Sequence, residues 1–237
     1  MRTHVHSILR FVLFPLTLMF FFCKSGSSSA QDARTLIREV NRRFERVHDY
    51  SAAVRIRTDI PFVRMMPVNA KVEFTQPDRF TVRSSGIALL PKQGFETLFK
   101  NLRDTSSYLP VPQGRETLRN VAVTVVSILP VSDTSDLILG RLWIDEAADI
   151  ILRSQLTTRS NGTVTADYYF GKYSAFALPD SMTFTIDTRK FKIPKAVSAD
   201  LNNTSGSRGK QSPERQKGMI YLQFSDYRIN RTSATGR

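Results

Sequence analysis

The sequence predicts a mainly β protein, in which a meandering antiparallel sheet curls on itself and carries one amphipathic helix. Three observations lead to this fold class. One stretch near the N-terminus has apolar residues at helical spacing, whereas most later segments alternate apolar and polar residues. The connections between these segments are mostly of hairpin length, which favours antiparallel neighbours. Helical patterns do not alternate with the strands, as a parallel α/β sheet would require.

Residues 1–30 have the pattern of a secretory signal peptide. A basic start is followed by a short, uncharged apolar run and then by small residues up to Ala30. The apolar run is too short to span a bilayer as a helix. We expect cleavage after Ala30 and a single mature domain over 31–237. Two alternatives stay open: an uncleaved signal anchor, and a lipid-anchored form through Cys23, which would need a small residue where Phe22 stands.

Composition excludes most catalytic classes for the mature chain. The 237 residues carry 34 Lys+Arg against 21 Asp+Glu, a formal net charge of +13, and a hydrophobic fraction of 41% is enough for a sizeable core. The single cysteine and two of the three histidines lie within the predicted signal. Disulfides, thiol nucleophiles and thiolate zinc sites are therefore excluded after cleavage. His48 remains, and we interpret it as a surface or capping residue at the end of a helix. We predict no cofactor and no metal. We also predict no nucleic-acid partner, because aromatic and basic residues do not interleave as a stacking surface for bases would require.

The predicted helix covers 32–47, and nine strands follow it. The helix places Leu36, Ile37, Val40, Phe44 and Val47 on one face. The strands are predicted over 52–57, 68–75, 80–83, 120–129, 137–145, 150–158, 163–169, 181–188 and 219–227.

Four other segments interrupt these strands. The sequence at 76–79 predicts a tight turn, and Asn161-Gly162 predicts a hairpin. Residues 91–102 have the spacing of a short amphipathic helix, and the proline-rich stretch 110–114 reads as irregular. Residues 192–217 are rich in serine, asparagine, glycine and basic side chains, which predicts a flexible basic loop.

A sheet that closes incompletely has one concave apolar face, which a helix or lid must cover or a ligand must fill. Because the chain also lacks a catalytic inventory, this pattern predicts a container. The candidate lining positions are apolar residues of the predicted strands and of the short amphipathic helix. They are Val72, Phe74, Phe80, Val82, Phe95, Phe99, Leu142, Ile144, Phe184 and Phe224.

Several segments resemble the periplasmic outer-membrane lipoprotein carriers, the LolA-like proteins. The opening of that family is similar to VNRRFERVHDYSAAVRIRTDI followed by VEFTQPDRFTVR. A later hairpin resembles GRLWIDEAADIILRSQL, and the closing strands resemble LPDSMTFTI and GMIYLQFSDYRIN. The resemblance implies an unclosed, strongly curved antiparallel half-barrel covered by the N-terminal helix and a short lid helix. It also implies a cavity for acyl chains, with no cofactor and no covalent chemistry.

The resemblance also points to a gating contact. Members of the family often carry a basic residue directly before the turn proline, and this residue ties to the lid in the closed state. This chain has Gln76 before Pro77. Arg79, three residues on, is the candidate substitute.

Three functional hypotheses follow. The first is a monomeric periplasmic carrier of lipoprotein acyl chains or another lipid, working with a membrane donor or acceptor. The second is a periplasmic sensor or scaffold of the same fold that binds a partner protein, as RseB-like regulators do. The third is a hydrolase that uses paired carboxylates, such as those around Asp145.

Overall fold

A computed structural model describes residues 27–61, 65–86, 98, 102–187 and 217–231. These residues form one long helix, ten strands and a short 3-10 helix. In chain order they are α1 (Ser27–Glu45), β1 (Asp49–Asp59), β2 (Val68–Thr75), β3 (Arg79–Ser84), β4 (Tyr108–Leu118), β5 (Val121–Pro130), β6 (Leu137–Asp145), β7 (Ile150–Thr158), β8 (Gly162–Tyr169), the 3-10 helix (Ser174–Phe176), β9 (Ser181–Asp187) and β10 (Lys217–Ile229).

All ten strands belong to a single antiparallel sheet. Their spatial order is β3-β2-β1-β10-β9-β8-β7-β6-β5-β4. The strands β4 to β10 form a continuous meander, and β10 then pairs with β1, so that the two ends of the chain meet in the middle of the sheet. Within the described residues, β3 and β4 each pair on one side only, which confirms the predicted unclosed sheet.

Helix α1 lies on one face of this sheet, which we call the inner face. Its apolar stripe is buried there, with Ile37 and Val40 fully covered, and Val47 is buried just after the helix ends. Period-two alternation in the strands supplies the other half of the core. In β1, for example, Val54 and Ile56 point inward and are buried, whereas the alternating Arg55 and Arg57 are exposed. The predicted amphipathic helix is therefore confirmed, although it ends two residues before 47.

A smaller apolar cluster lies on the opposite, outer face. Val125 pairs with Trp143 across β5 and β6, and Leu152 of β7 and Ala177 complete the cluster. The indole Nε1 of Trp143 donates a hydrogen bond to Glu116 at 2.8 Å. Ala177, together with partly buried Phe170, packs against the outer face in this half of the sheet.

The structure corrects one element of the sequence prediction. The stretch 110–114 is not irregular, because it lies inside β4, where Pro110 pairs with Ile128 and Pro112 with Val126. Proline lacks the backbone N–H that a central strand needs, but an edge strand tolerates it. A bulge follows at Gly114, whose φ of 103° favours glycine.

Three predicted segments lie wholly or largely outside the described residues. They are the signal sequence before residue 27, the amphipathic stretch 91–102 except Leu98 and Leu102, and the basic loop 192–217 except Lys217. Lys217 opens β10 instead of ending the loop. Within the described part of the chain, no helix has both the length and the apolar character needed to cross a bilayer.

Candidate functional site

The inner face of the sheet gathers the predicted lining residues into one apolar cluster. Five of them are fully buried and three are partly buried, and all eight contact the same core. The buried ones are Val72, Phe74, Leu142, Ile144 and Phe184, and the partly buried ones are Phe80, Val82 and Phe224. Phe95 and Phe99, the remaining two, lie outside the described residues.

Strand register explains how these residues meet. Phe74 pairs directly with Phe80, and Val72 pairs with Val82, so β2 and β3 present four apolar side chains side by side. The turn between these strands starts at Gln76, as the sequence predicts, and the Gln76–Pro77 peptide bond is cis. The same face continues across the sheet to Phe184, which pairs with Ile220 of β10.

Helix α1 fills the space over this face. The ring centres of Phe44 and Phe74 are 5.5 Å apart, and Tyr50 lies at the same distance from Phe74. Further ring contacts lead from Tyr50 through Tyr227 to Tyr173, with centre distances of 5.7 and 4.7 Å. In this structure, the candidate lining residues are therefore core residues, and a ligand beside Phe74 would have to displace part of α1.

The open side of the sheet lies between the edge strands β3 and β4, and we call it the mouth. On the β3 side, Phe80 and Val82 are only partly buried, in contrast to their partners on β2. Leu98 and Leu102, four residues apart and both helical, are almost fully buried. Their burial agrees with the apolar spacing of the predicted lid. We call 102–107, which leads from this helix into β4, the lid-end segment.

Hydrogen bonds tie the lid-end segment to α1 and to β4. The carbonyl oxygen of Leu102 accepts one bond from Asn41 Nδ2 of α1 and another from the Tyr108 hydroxyl, both at 2.8 Å. Arg34 of α1 donates to the carbonyl of Thr105 at 3.1 Å. Burial raises the pKa of Tyr108 to about 12, with nearby Arg34 opposing the shift. The Tyr108 hydroxyl therefore stays protonated and can donate at any physiological pH.

The predicted gating residues occupy the turn between β2 and β3, but they make different contacts from those implied by the resemblance. Gln76 Nε2 donates to the carbonyls of Glu45 and Val47, at 2.9 and 3.0 Å, so this side chain caps the C-terminal end of α1. Arg79 is exposed at the start of β3. The cation that reaches the turn is Arg103, whose Nη1 donates to the carbonyl of Pro77 at 2.7 Å.

Arg103 was missed by the sequence reasoning, which sought the cation on the hairpin. In this structure, the hydrogen bond between the β2–β3 turn and the lid-end segment comes from Arg103, on the lid-end segment. The only sequence signal for it is the position of Arg103 directly after the last apolar residue of the amphipathic stretch.

A groove of about 820 Å³ lies on the outer face over β1, β9 and β10. Arg55, Arg57 and Tyr221 line it, and Lys172 stands at one wall. The guanidinium carbon of Arg57 is 4.1 Å from the centre of the Tyr221 ring. A charged partner in this groove and an acyl chain on the inner face would thus contact opposite sides of the sheet.

The carboxylates considered for hydrolysis serve the turns. Asp145 Oδ1 accepts the backbone N–H groups of Ala147 and Ala148, at 2.9 and 3.2 Å. Asp136 accepts from the backbone N–H and the hydroxyl of Ser160. Among the residues that the structure describes, no three His, Cys, Asp or Glu side chains group closely enough to hold a metal ion.

Comparison with solved structures shows that this fold is LolA-like. A LolA superfamily protein from Nitrosomonas europaea superposes with a TM-score of 0.54 at 11% identity, over 84% of this chain and 93% of its own. A domain from Vibrio parahaemolyticus named for outer membrane lipoprotein sorting gives 0.51 at 13% identity, over 85% and 94%. A DUF1329 family protein from Desulfovibrio piger gives 0.54 at 10% identity, over 86% and 94%.

These identities are low, so the likeness establishes the fold alone. No family model matches the sequence. No curated protein matches it either. The chain is therefore an unclosed LolA-like half-barrel whose inner face is covered by its own helix.

Proposed function

We propose that the protein is an exported, monomeric carrier that binds the acyl chains of lipoproteins, or another lipid, against its inner face and carries them toward the outer membrane. The observation that carries this proposal is the inner face itself. It is one continuous apolar surface, covered by the separate helix α1 and bordered at the mouth by partly buried Phe80 and Val82. The LolA-like fold supports the same interpretation.

Energetics allow an acyl chain to compete with α1. Burying one CH₂ contributes about 0.8 kcal/mol, so a chain of about 14 methylenes gains about 11 kcal/mol. The apolar side chains to be given up are Ile37, Val40 and Phe44 of α1, together with Val47 just after the helix ends. At about 1.5–3 kcal/mol for each side chain, these four contribute about 6–12 kcal/mol. The two terms nearly balance, which is what loading and release by one protein require.

The hydrogen bonds at the mouth define what has to separate when a ligand enters. Arg103 joins the lid-end segment to the β2–β3 turn, and Asn41 joins it to α1. Gln76 joins the same turn to the end of α1. Breaking a few such bonds costs far less than unfolding the sheet, because each contributes about 1 kcal/mol net.

Export and processing belong to the same proposal. We infer that residues 1–30 are removed and that 31–237 acts in the periplasm as a single domain. Cleavage after Ala30 would remove the first turn of α1 but keep the buried positions from Ala33 onward. N-terminal sequencing of the protein from the periplasmic fraction tests this. A mature start at Gln31 supports the proposal, and a start at Met1 or Cys23 contradicts it.

Intact-complex mass spectrometry of the mature protein, purified without detergent from its native envelope, tests the cargo. We expect a bound lipid or acylated polypeptide. Phe80→Asp, at the partly buried border of the mouth, should abolish the bound mass. Phe176→Asp, on an exposed side chain of the 3-10 helix, is the matched control and should retain it.

An empty protein that also fails to take up a fluorescent fatty acid would contradict the carrier proposal. A stable complex with an envelope protein, in the absence of lipid, would instead favour the scaffold hypothesis.

A further inference from the structure

An exposed apolar patch lies at the corner of the sheet where β4 begins and β5 ends. Its members are five aliphatic side chains that are each more than a third exposed, on β4, β5, β6 and the connection between the last two. They are Leu109, Leu129, Val131, Ile138 and Leu139. We call this set the corner patch. Soluble proteins rarely expose apolar side chains in contiguous groups, and such groups mark interaction surfaces.

Strand register places three of these residues in one row on the outer face. Leu109 pairs directly with Leu129. Ile128 pairs with Gly140, so the next position along each strand places Leu129 across from Leu139. Because Ile128 is buried on the inner face, its neighbour Leu129 points outward. Val131, at the start of the β5–β6 turn, and Ile138, in β6 directly before Leu139, extend the exposed apolar surface.

The turn between β5 and β6, which begins at Val131 and leads to Ile138, is held in place by hydrogen bonds. The N–H of Val131 donates to the carbonyl of Ser107 at 2.9 Å. The Arg159 side chain donates to the carbonyls of Ser135 and Asp133, at 3.1 and 3.3 Å. The corner patch is thus presented on a fixed frame and cannot fold inward without breaking this network.

Charge and shape favour a lipid surface as the occupant. Arg141 follows Leu139 by two residues on the same outer face, and Arg159 braces the turn. The acids of the turn, Asp133 and Asp136, balance these two cations locally, so the attraction to anionic lipid comes from the chain as a whole. Residues 31–237 carry a formal charge of +10, because the +13 of the full chain includes Arg2, Arg10 and Lys24 of the predicted signal, and this charge attracts the protein to anionic headgroups.

A second copy of the chain is a poorer match for the corner. The adjoining edge strand β4 contains Pro110 and Pro112, which lack the N–H groups needed to add a further strand. The patch is also a projecting corner of strand ends and a turn, whereas a dimer interface needs a broad complementary surface.

We propose that the corner patch docks the protein on an anionic lipid bilayer, with its aliphatic side chains entering the headgroup region. The lid-end segment leads directly into β4, so this docking brings the mouth close to the membrane surface. The proposal goes beyond the carrier function and does not depend on which cargo the inner face holds.

Sedimentation of the mature protein with vesicles of phosphatidylethanolamine containing about one quarter phosphatidylglycerol tests the proposal. Val131→Asp with Ile138→Asp changes one residue of the β5–β6 turn and one at the start of β6, which are 67% and 47% exposed, so the fold should survive. Met66→Asp, at an 84% exposed apolar position outside the patch, is the matched control. Thermal unfolding of all variants checks that each is folded.

We expect the wild type to bind, the double variant to bind at least about tenfold more weakly, and the control to stay within about twofold of the wild type. Binding should also weaken with added salt and on vesicles of phosphatidylcholine alone. A bound lipid or acylated polypeptide in the purified double variant would show that the loss of vesicle binding does not come from a loss of the proposed carrier function.

Three outcomes would overturn the docking proposal. They are a wild type that does not bind these vesicles, a double variant that binds as well as the wild type, and self-association of the wild type that the double variant abolishes. The last would assign the corner patch to a second copy of the chain.

Discussion

The carbonyl of Leu102 provides a sharp test of how the lid-end segment is held. Leu102 is 1% exposed, and its oxygen accepts bonds from Asn41 and from the Tyr108 hydroxyl. Both donors are themselves buried, with exposed fractions of 9% and 3%. Asn41→Ala and Tyr108→Phe each remove one donor. The double variant leaves this buried carbonyl without either of its two donors.

The structure predicts a strongly non-additive result. Each single change removes one hydrogen bond and should cost about 1 kcal/mol of unfolding free energy, plus a packing loss at Asn41. In the single variants the carbonyl keeps one partner. In the double variant it is buried without either donor, which costs about 1–3 kcal/mol more. We therefore expect a coupling energy of about 1–2 kcal/mol. The double variant should lose more unfolding free energy than the two single variants lose in total.

Urea unfolding of the four proteins measures this coupling, because packing losses specific to one site cancel in the cycle. Additivity within about 0.5 kcal/mol would refute the reasoning. It would show that water or another donor reaches the Leu102 carbonyl when both side chains are changed, and that the lid-end segment is not sealed against α1.

Three further predictions concern the same region. The stability difference between wild type and Tyr108→Phe should be constant well below pH 10. Toward pH 12 it should fall by about 1–2 kcal/mol, enough to vanish or reverse sign, because the raised pKa means that the unfolded state loses its proton first. Urea unfolding at each pH measures it, and a constant difference would contradict the raised pKa. Gln76→Ala removes both bonds to the end of α1 and should cost about 1–2 kcal/mol in urea unfolding, whereas exposed Arg79→Ala should cost under about 0.5. Arg103→Ala removes the hydrogen bond to the Pro77 carbonyl and should therefore speed uptake of a fluorescent fatty acid several-fold, as measured by stopped flow. The rate for Arg103→Lys should be intermediate. Equal rates would show that this contact does not limit entry.

Local sequence determined most of the elements and the inner face of the sheet. The helical spacing of α1 and the period-two pattern of strands such as β1 and β2 are consequences of side-chain geometry, which needs only neighbouring residues. The tight turn at Gln76-Pro77 sets the register that pairs Phe74 with Phe80. Eight of the ten predicted lining residues lie on that one face for the same reason.

The rest depended on contacts between residues far apart in the chain. Pro110 and Pro112 argue against a strand until the tertiary structure makes β4 an edge. No local pattern shows that Arg103 reaches Pro77, or that β10 pairs with β1.

The inner face and the corner patch likewise depend partly on local sequence and partly on tertiary structure. Alternation predicts that Leu129 and Ile128 point to opposite faces, but only the placement of α1 decides which face is covered. The sequence therefore determined which side chains lie together, and the tertiary structure decided which groups are buried. Burial depends on what packs against a surface from a distant part of the chain, and local periodicity carries no record of that partner.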